Sequence, residues 1–481
     1  MPTAHSSDSV VPNTSSTATA DDAPRPGARL ALTLLLAINL FNYIDRSILS
    51  SVEPEIRQFL KDNAMAAGHP IDDGVAKGMT GWLPTAFLIS YMLIAPIFGW
   101  LADQMSRYLL VGMGVAVWSL ASGATGMAVT FGMILVTRVF IGVGEAAYGP
   151  SAPTILSDLY PVRRRGAILA WFYMAIPVGS AIGYAFGGLF THGAALSGFH
   201  GWRGAFYAVV PPGLALAAFC FFMKDPPRGQ ADDTQPHTKS SCKEVNQSDA
   251  RYCRRCGRPL GPVCSRKANF HDYLTMFKTP SYLLNTAGMA AMSFAIGGIQ
   301  YWMPAYLSEE RHAGSLESIG LKFGAICASA GILATLLGGI AGDRLRKRWG
   351  GAYFIVSAFG IFLSTIFIVL MLYTPFPFAW VWLFMAVFWL FFNTGPSNTI
   401  LANVVHPSMR STGFAINILL IHALGDVPAP PIMGPMSHYF GWNMTFYLVC
   451  FTMVLGGLFW MWGTRFLARD TELAPRRLDP H

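Results

Sequence analysis

Stretches of twenty or more mostly apolar residues recur along nearly the whole chain. A helix needs about 20 such residues to cross the hydrocarbon core of a bilayer. A lipid-exposed backbone must satisfy its own hydrogen bonds, so only helices and closed barrels can span. Barrel strands would alternate at period two over about ten residues, a pattern these stretches lack. The chain therefore reads as an all-α, multi-pass membrane protein. Twelve spans can be placed, at 29–51, 79–102, 108–129, 132–157, 166–190, 203–223, 281–306, 317–341, 352–373, 377–402, 411–434 and 441–464. Composition agrees: 53% of the 481 residues are hydrophobic and 12% charged, against about 25% charged in soluble domains.

Residues 1–27 are polar, rich in Ser, Thr, Ala and Pro, and have no apolar core. They read as a disordered tail rather than a signal peptide, so the first span is expected to stay uncleaved. The spans then group as a six-helix bundle over 28–223, a long loop over 224–278, a second bundle over 279–466 and a tail over 467–481. An even number of spans puts both termini on one side. With that side cytoplasmic, 26 of the 34 Lys and Arg face inward and 6 face outward, as the positive-inside rule requires. The expected location is a cell membrane, inner or plasma, with both termini in the cytoplasm. The net charge of +8 then faces anionic lipid and needs no nucleic-acid partner. A monomer surrounded by membrane lipids is expected.

Each half carries a similar element after its second span. The first is Gly99-Trp100-Leu101-Ala102-Asp103, ending in Arg107; the second is Gly339-Ile340-Ala341-Gly342-Asp343-Arg344. The separation of 240 residues marks an internal repeat. Secondary transporters are often built from such repeats, with the substrate site at midplane between them. The Gly would let two helices approach closely, and the Asp would pair with basic residues at a helix end. Gly99, Asp103, Arg107, Asp343 and Arg344 are thus gating candidates. The plainer alternative is an interfacial cap. The fifth span carries a small-residue stripe, Gly179, Gly183 and Gly187, and the eleventh holds Pro428, Pro430, Pro431 and Pro435. These features signal close helix packing and tolerated breaks at least as readily as motion. The aromatic-rich tenth span, including Trp380, Trp382 and Phe384, fits either an apolar cavity wall or a lipid-facing surface.

Ionisable residues inside spans are costly and are functional by default. Asn42-Tyr43-Ile44-Asp45-Arg46 lies in span one, and Arg138 and Glu145 lie in span four. The latter two share a helix face about two turns apart. Gly142 lies between them and leaves a gap in which Asp45 is expected to sit. Burial disfavours a charged carboxylate and a nearby guanidinium favours it. A moving Arg138 could therefore load and release a proton. The alternative is a static lock between spans one and four. His422 and Asp426 in span eleven form a second candidate proton relay.

These residues resemble the major facilitator superfamily, through the duplicated Gly-x-x-x-Asp loops and Arg138-x-x-x-Gly142. The finer resemblance is to its Spinster-like branch. It rests on Asn42 to Arg46, Gly144-Glu145-Ala146-Ala147-Tyr148, Ala152-Pro153-Thr154-Ile155 and Asp158. It also rests on Tyr301-Trp302-Met303-Pro304-Ala305-Tyr306-Leu307 and His422-Ala423-Leu424-Gly425-Asp426-Val427-Pro428. The resemblance implies two pseudo-symmetric bundles, alternating access and proton-coupled transport of an amphipathic lipid such as a lysophospholipid or sphingosine-1-phosphate. It assigns coupling to Asp45, Arg138 and Glu145. Arg46, Asn42, Tyr43 and Tyr148 are the candidate substrate contacts. The first loop departs from the superfamily pattern at Gln104, Ser106 and Tyr108, and Ala147 stands where the branch has Ser.

Four cysteines, Cys242, Cys253, Cys256 and Cys264, crowd the central loop. A reducing compartment argues against disulfides. Two readings stay open: a structural zinc held by all four thiolates, or an unliganded linker. No other cofactor is required. No nucleophile–base motif or phosphate loop points to an enzyme. The function expected is therefore secondary transport of an amphipathic lipid with protons. A carrier of small organic anions and a non-transporting membrane sensor are the alternatives.

Overall fold

A computed structural model describes residues 25–160, 162–191, 201–227, 270–406 and 409–474, apart from the side chains of 103, 162–167, 170, 191, 270–273, 410 and 411. The four loop cysteines, and with them the zinc question, lie outside these residues. The first half comprises α1 (Ala28–Ser51), α2 (Glu53–Ala66), α3 (Asp73–Gln104), α4 (Arg107–Gly126), α5 (Phe131–Leu159), α6 (Val162–Thr191) and α7 (Trp202–Phe222). The second comprises α8 (Phe270–Phe277), α9 (Pro280–Glu309), α10 (Leu316–Arg346), α11 (Ala352–Tyr373), α12 (Ala379–Phe391) and α13 (Thr394–Val404). It continues through α14 (Arg410–Ile421), a π-helical turn at His422–Asp426, α15 (Ala429–Tyr439), α16 (Gly441–Gly463) and α17 (Leu467–Leu473). Twelve spans among the described residues are long and apolar enough to cross a membrane, as the hydropathy reading expects.

Local chemistry sets several helix starts. Asp72, Ser106, Thr130 and Ser315 cap α3, α4, α5 and α10, each accepting a backbone N–H three residues on, as N-caps do. Two spans are broken rather than continuous. The tenth splits between α12 and α13, where the Phe392 carbonyl presses against Gly338 of α10. The eleventh is interrupted by the π-helical turn, just before Pro428. The second span begins earlier than hydropathy suggests, at Asp73, because its first turns are polar yet capped.

α1, α3, α4, α5, α6 and α7 pack into one bundle, and α9 to α16 into the other. The glycine stripe of α6 sets the α1 crossing. A methyl on Gly179 would lie 2.6 Å from the Leu40 carbonyl oxygen, and one on Gly183 would lie 2.8 Å from Ser47 Cβ. The bundles meet through α6 against α10 and α3 against α15. These meetings also need bare backbone: Gly324 faces Ala181, and Gly81 faces Pro430 and Pro431. They lie in the half remote from the face where α1 begins and α16 ends. Ser50 of α1 donates to the Gln300 and Tyr301 carbonyls of α9 in the same far half, at 2.8 and 2.7 Å. In the half nearer the termini, Leu93 and Ile97 of α3 and Leu336 and Ile340 of α10 are exposed. The conformation is thus closed at the far face.

Overpacking a tight crossing costs about 1–3 kcal/mol. Gly179→Val is expected to lower the thermal unfolding midpoint of the purified protein by several degrees, whereas Gly132→Ala, in open space, is expected to leave it unchanged.

Candidate functional site

Helices α1 and α5 bring four charges to the middle of the first bundle. Arg46 pairs with Glu145, its Nε lying 2.8 Å from Oε2 and its Nη2 reaching the same oxygen. The Glu145 side chain is fully buried, and that of Arg46 is 28% exposed. The Arg46 guanidinium stands over Phe87, Tyr43 and Tyr91, at 4.6, 5.0 and 5.7 Å from the ring centroids. Such rings favour a desolvated cation. Asp45 accepts a hydrogen bond from Ser122 of α4. One turn along α4, Thr125 Oγ1 accepts from Arg138 Nη2 at 2.7 Å. Ser122 and Thr125 thus hold Asp45 and Arg138 against the same stretch of α4.

The four residues meet as the sequence suggests, but the pairing differs. Glu145 takes Arg46, Asp45 takes Ser122, and Arg138 takes Thr125. Gly142 does not hold Asp45: a Cβ there would run into Ser90 and the Phe87 carbonyl of α3. The physical reason is helical: Asp45 and Arg46 point about 100° apart, so they address different neighbours. The gap at Gly142 is filled by backbone, the tightest packing a glycine permits.

A cavity of about 150 Å³ opens between the bundles. Asp45, Arg46 and Arg138 line it from the first bundle, and Gln300, Tyr301 and Asp426 from the second. Asp426 belongs to the π-helical turn, where both its oxygens lie 2.9 Å from His422 Nδ1. Gly297 of α9 makes room, since a Cβ there would lie 2.8 Å from Asp426 Cα. π-turns of this kind often mark functional sites. Tyr43 also lines the cavity. Tyr148 is not among its lining: its hydroxyl donates to the Leu35 carbonyl at 2.6 Å, in the buried core. Asn42 is buried beside Glu145.

The repeated gating elements are not equivalent. Arg107 is buried and held from three directions. It reaches Asp158 of α5 at 2.5 Å, Asp225 after α7 at 3.0 Å and the Pro226 carbonyl at 2.9 Å. In the second half Arg344 is exposed, and Asp343 accepts from Tyr353 of its own bundle at 2.8 Å. The two glycines differ. A Cβ on Gly99 would have its nearest neighbour at 3.9 Å, whereas α13 approaches the bare backbone of Gly339, where a Cβ on Gly395 would lie 3.2 Å from the Gly339 Cα. Gly338 and Gly342 flank that approach and face Phe392 and Tyr353.

Hydropathy leaves 52–78 as a loop and passes over a second charge cluster at the far face. There Arg57 of α2 and Lys77 of α3 both pair with Glu309 of α9. The signal was present as Glu53 with Arg57 and Asp73 with Lys77, each at the helical i, i+4 spacing.

Breaking a buried pair from one side leaves an uncompensated charge and costs about 3–5 kcal/mol. Arg46→Met is expected to lower the thermal midpoint strongly, and adding Glu145→Leu to restore most of the loss. If the double variant is no more stable than the single, the pair is not a coupled unit.

A sequence profile of the Major Facilitator Superfamily matches residues 35–430. The chain is 30% identical over 476 residues to protein spinster homolog 1 of Xenopus laevis, covering 92% of this chain and 82% of that one. It is 28% identical over 450 residues to a probable sphingolipid transporter, spinster homolog 1, of Arabidopsis thaliana, covering 89% and 87%. Among solved structures, a bacterial homologue of the human lysosomal transporter Spinster, inward-facing and unoccupied, superposes with a TM-score of 0.68 at 20% identity. That match covers 95% of this chain and 98% of that one.

Proposed function

Because the chain belongs to the major facilitator superfamily, as a transporter of its Spinster type, we propose that it carries a lysophospholipid- or sphingolipid-like molecule across the membrane by alternating access, coupled to protons. The observation that carries this reading is the cavity between the bundles, where ionisable groups from both halves meet. The description of the Arabidopsis relative supports the substrate class.

In this mechanism Arg46 is the group that meets the anionic part of the cargo. It is the one member of the four with an appreciably exposed side chain, and its partner is the fully buried Glu145. A proton arriving on Glu145 removes the competing charge and frees the guanidinium for a phosphate, with which it can pair through two parallel hydrogen bonds. Asp45 exchanges a second proton while Arg138 changes partner between it and the hydroxyls of α4. His422 and Asp426 serve the second bundle in the same way. A cavity of about 150 Å³ is smaller than the roughly 300–1,000 Å³ of typical ligand pockets. It takes a headgroup, and the acyl chain extends beyond it toward the open side. The same volume favours one second reading, a small organic anion. Charge asymmetry among the loops supports termini in the cytoplasm, and with that orientation the open side faces inward. Arg107, with Asp158 and Asp225, then belongs to the cytoplasmic gate.

Flux in proteoliposomes under an imposed pH gradient tests the reading. Asp45→Asn and Glu145→Gln are each expected to abolish the pH-dependent component, and unchanged flux in both would remove the coupling role. A panel of lysolipids and short organic anions separates the two substrate classes. For the central loop we propose an unliganded linker, with a structural zinc on Cys242, Cys253, Cys256 and Cys264 as the second reading. Metal analysis of the purified chain separates them: the linker reading expects no zinc, and the second expects about one, lost on replacing Cys253 and Cys256.

A further inference from the structure

The far-face cluster is built almost entirely by the first bundle. Arg57 Nη1 lies 3.0 Å from Asp73 Oδ2, and Lys77 Nζ lies 3.1 Å from the same oxygen. Arg57 Nε lies 3.4 Å from Glu53 Oε1, which also accepts from Thr80 Oγ1 at 2.7 Å. Lys61 reaches Asp73 Oδ1 at 3.3 Å. These contacts stay within α2 and α3 and fix both cations in place. The side chains of Arg57 and Lys77 are only 9% and 5% exposed. Across the interface the second bundle contributes Glu309, which pairs with Arg57 and lies 3.3 Å from Lys77 Nζ. It also contributes Trp442, whose ring centroid is 4.9 Å from Lys77 Nζ.

The closed cluster is balanced, with Arg57, Lys61 and Lys77 against Glu53, Asp73 and Glu309. Glu309 leaves with the second bundle whenever the far face opens. Arg57 and Lys77 then keep their positions, a net positive charge and a vacated carboxylate place between them. Uncompensated charge in a buried setting is costly, and two convergent cations are a strong receptor for an oxyanion. We propose that Arg57 and Lys77 form an anion site in the far-side vestibule, specific for phosphate or carboxylate groups, and that Glu309 occupies it as a built-in competitor while that side is closed. An anion arriving from the far side takes the place of Glu309 and holds the far face open. The inference rests on the alternating-access part of the proposed function and on neither its proton nor its lipid.

Distance measurement by electron paramagnetic resonance tests it without transport. Spin labels go on Met127→Cys and Pro375→Cys, exposed far-face positions in the two bundles, in a full chain whose native cysteines are replaced. In nanodiscs of phosphatidylcholine, inorganic phosphate at constant ionic strength is expected to raise the population with the longer separation. Glu309→Gln is expected to show that population without anion and to respond at a roughly tenfold lower phosphate concentration. Lys77→Gln, and separately Arg57→Gln, are expected to abolish the response while both distances stay resolvable, which also shows that the variants fold. A second arm uses nanodiscs containing phosphatidic acid and no added phosphate. A response there alone assigns the site to lipid headgroups, and a response to phosphate assigns it to a soluble ion. No response in either arm, or an equal response to chloride, overturns the proposal. Flux of the lipid panel is measured separately, so failure of the site and failure of the transport reading are told apart.

Discussion

A charge inside a bilayer must find an opposite charge or a polar wall, and the arrangement of this protein's centre follows from that requirement. Arg46, Glu145, Asp45 and Arg138 sit where hydrocarbon would otherwise surround them. Each is answered by another member of the set, by a hydroxyl of α4 or by an aromatic face. The answering groups come from α1, α4, α5 and α3, so satisfying these charges ties those helices together. The tight glycine crossings serve the same end, because they bring the backbones close enough for short polar side chains to reach.

The two halves repeat one plan but use it differently. Among the described residues the first carries most of the buried charge: the central set, the Arg107 hub and the Arg57–Lys77 cluster. The second offers fewer ionisable groups to the interface, chiefly Asp426 at the cavity and Glu309 at the far face. Each of those two confronts an arginine-bearing wall of the first bundle. Under the proposed alternation between the bundles, the surroundings of a few carboxylates would change while the cation positions stayed largely intact. Ion pairs can be exchanged in this way without reorganising either bundle.

The corrections share a cause. Helix periodicity placed Arg138 and Glu145 on one face and Gly142 between them, which is right for α5 alone. It could not say which neighbour fills the space over Gly142, and α3 backbone fills it instead of Asp45. Of the duplicated glycines, Gly339 is a contact point, against Gly395 of α13, and Gly99 is not. Tyr148 is expected among the substrate contacts with Arg46, Asn42 and Tyr43, but it turns into the core and bonds the Leu35 carbonyl. The far-face cluster was missed because a hydropathy reading treats polar residues between spans as loop. Those residues form a capped helix start and a short amphipathic helix.

The class, the twelve spans, the two-bundle division and the identities of the central ionisable residues were legible in sequence. All of them depend on local quantities: apolar length, spacing along a helix and the cost of a charge in hydrocarbon. Tertiary structure alone decided who pairs with whom. Arg46 rather than Arg138 meets Glu145, Ser122 and Thr125 bind Asp45 and Arg138, and Glu309 closes the far face across the bundles. Those choices depend on how helices distant in sequence cross and rotate against one another. That geometry is set by the packing of many small residues at once, and no single segment of the chain encodes it.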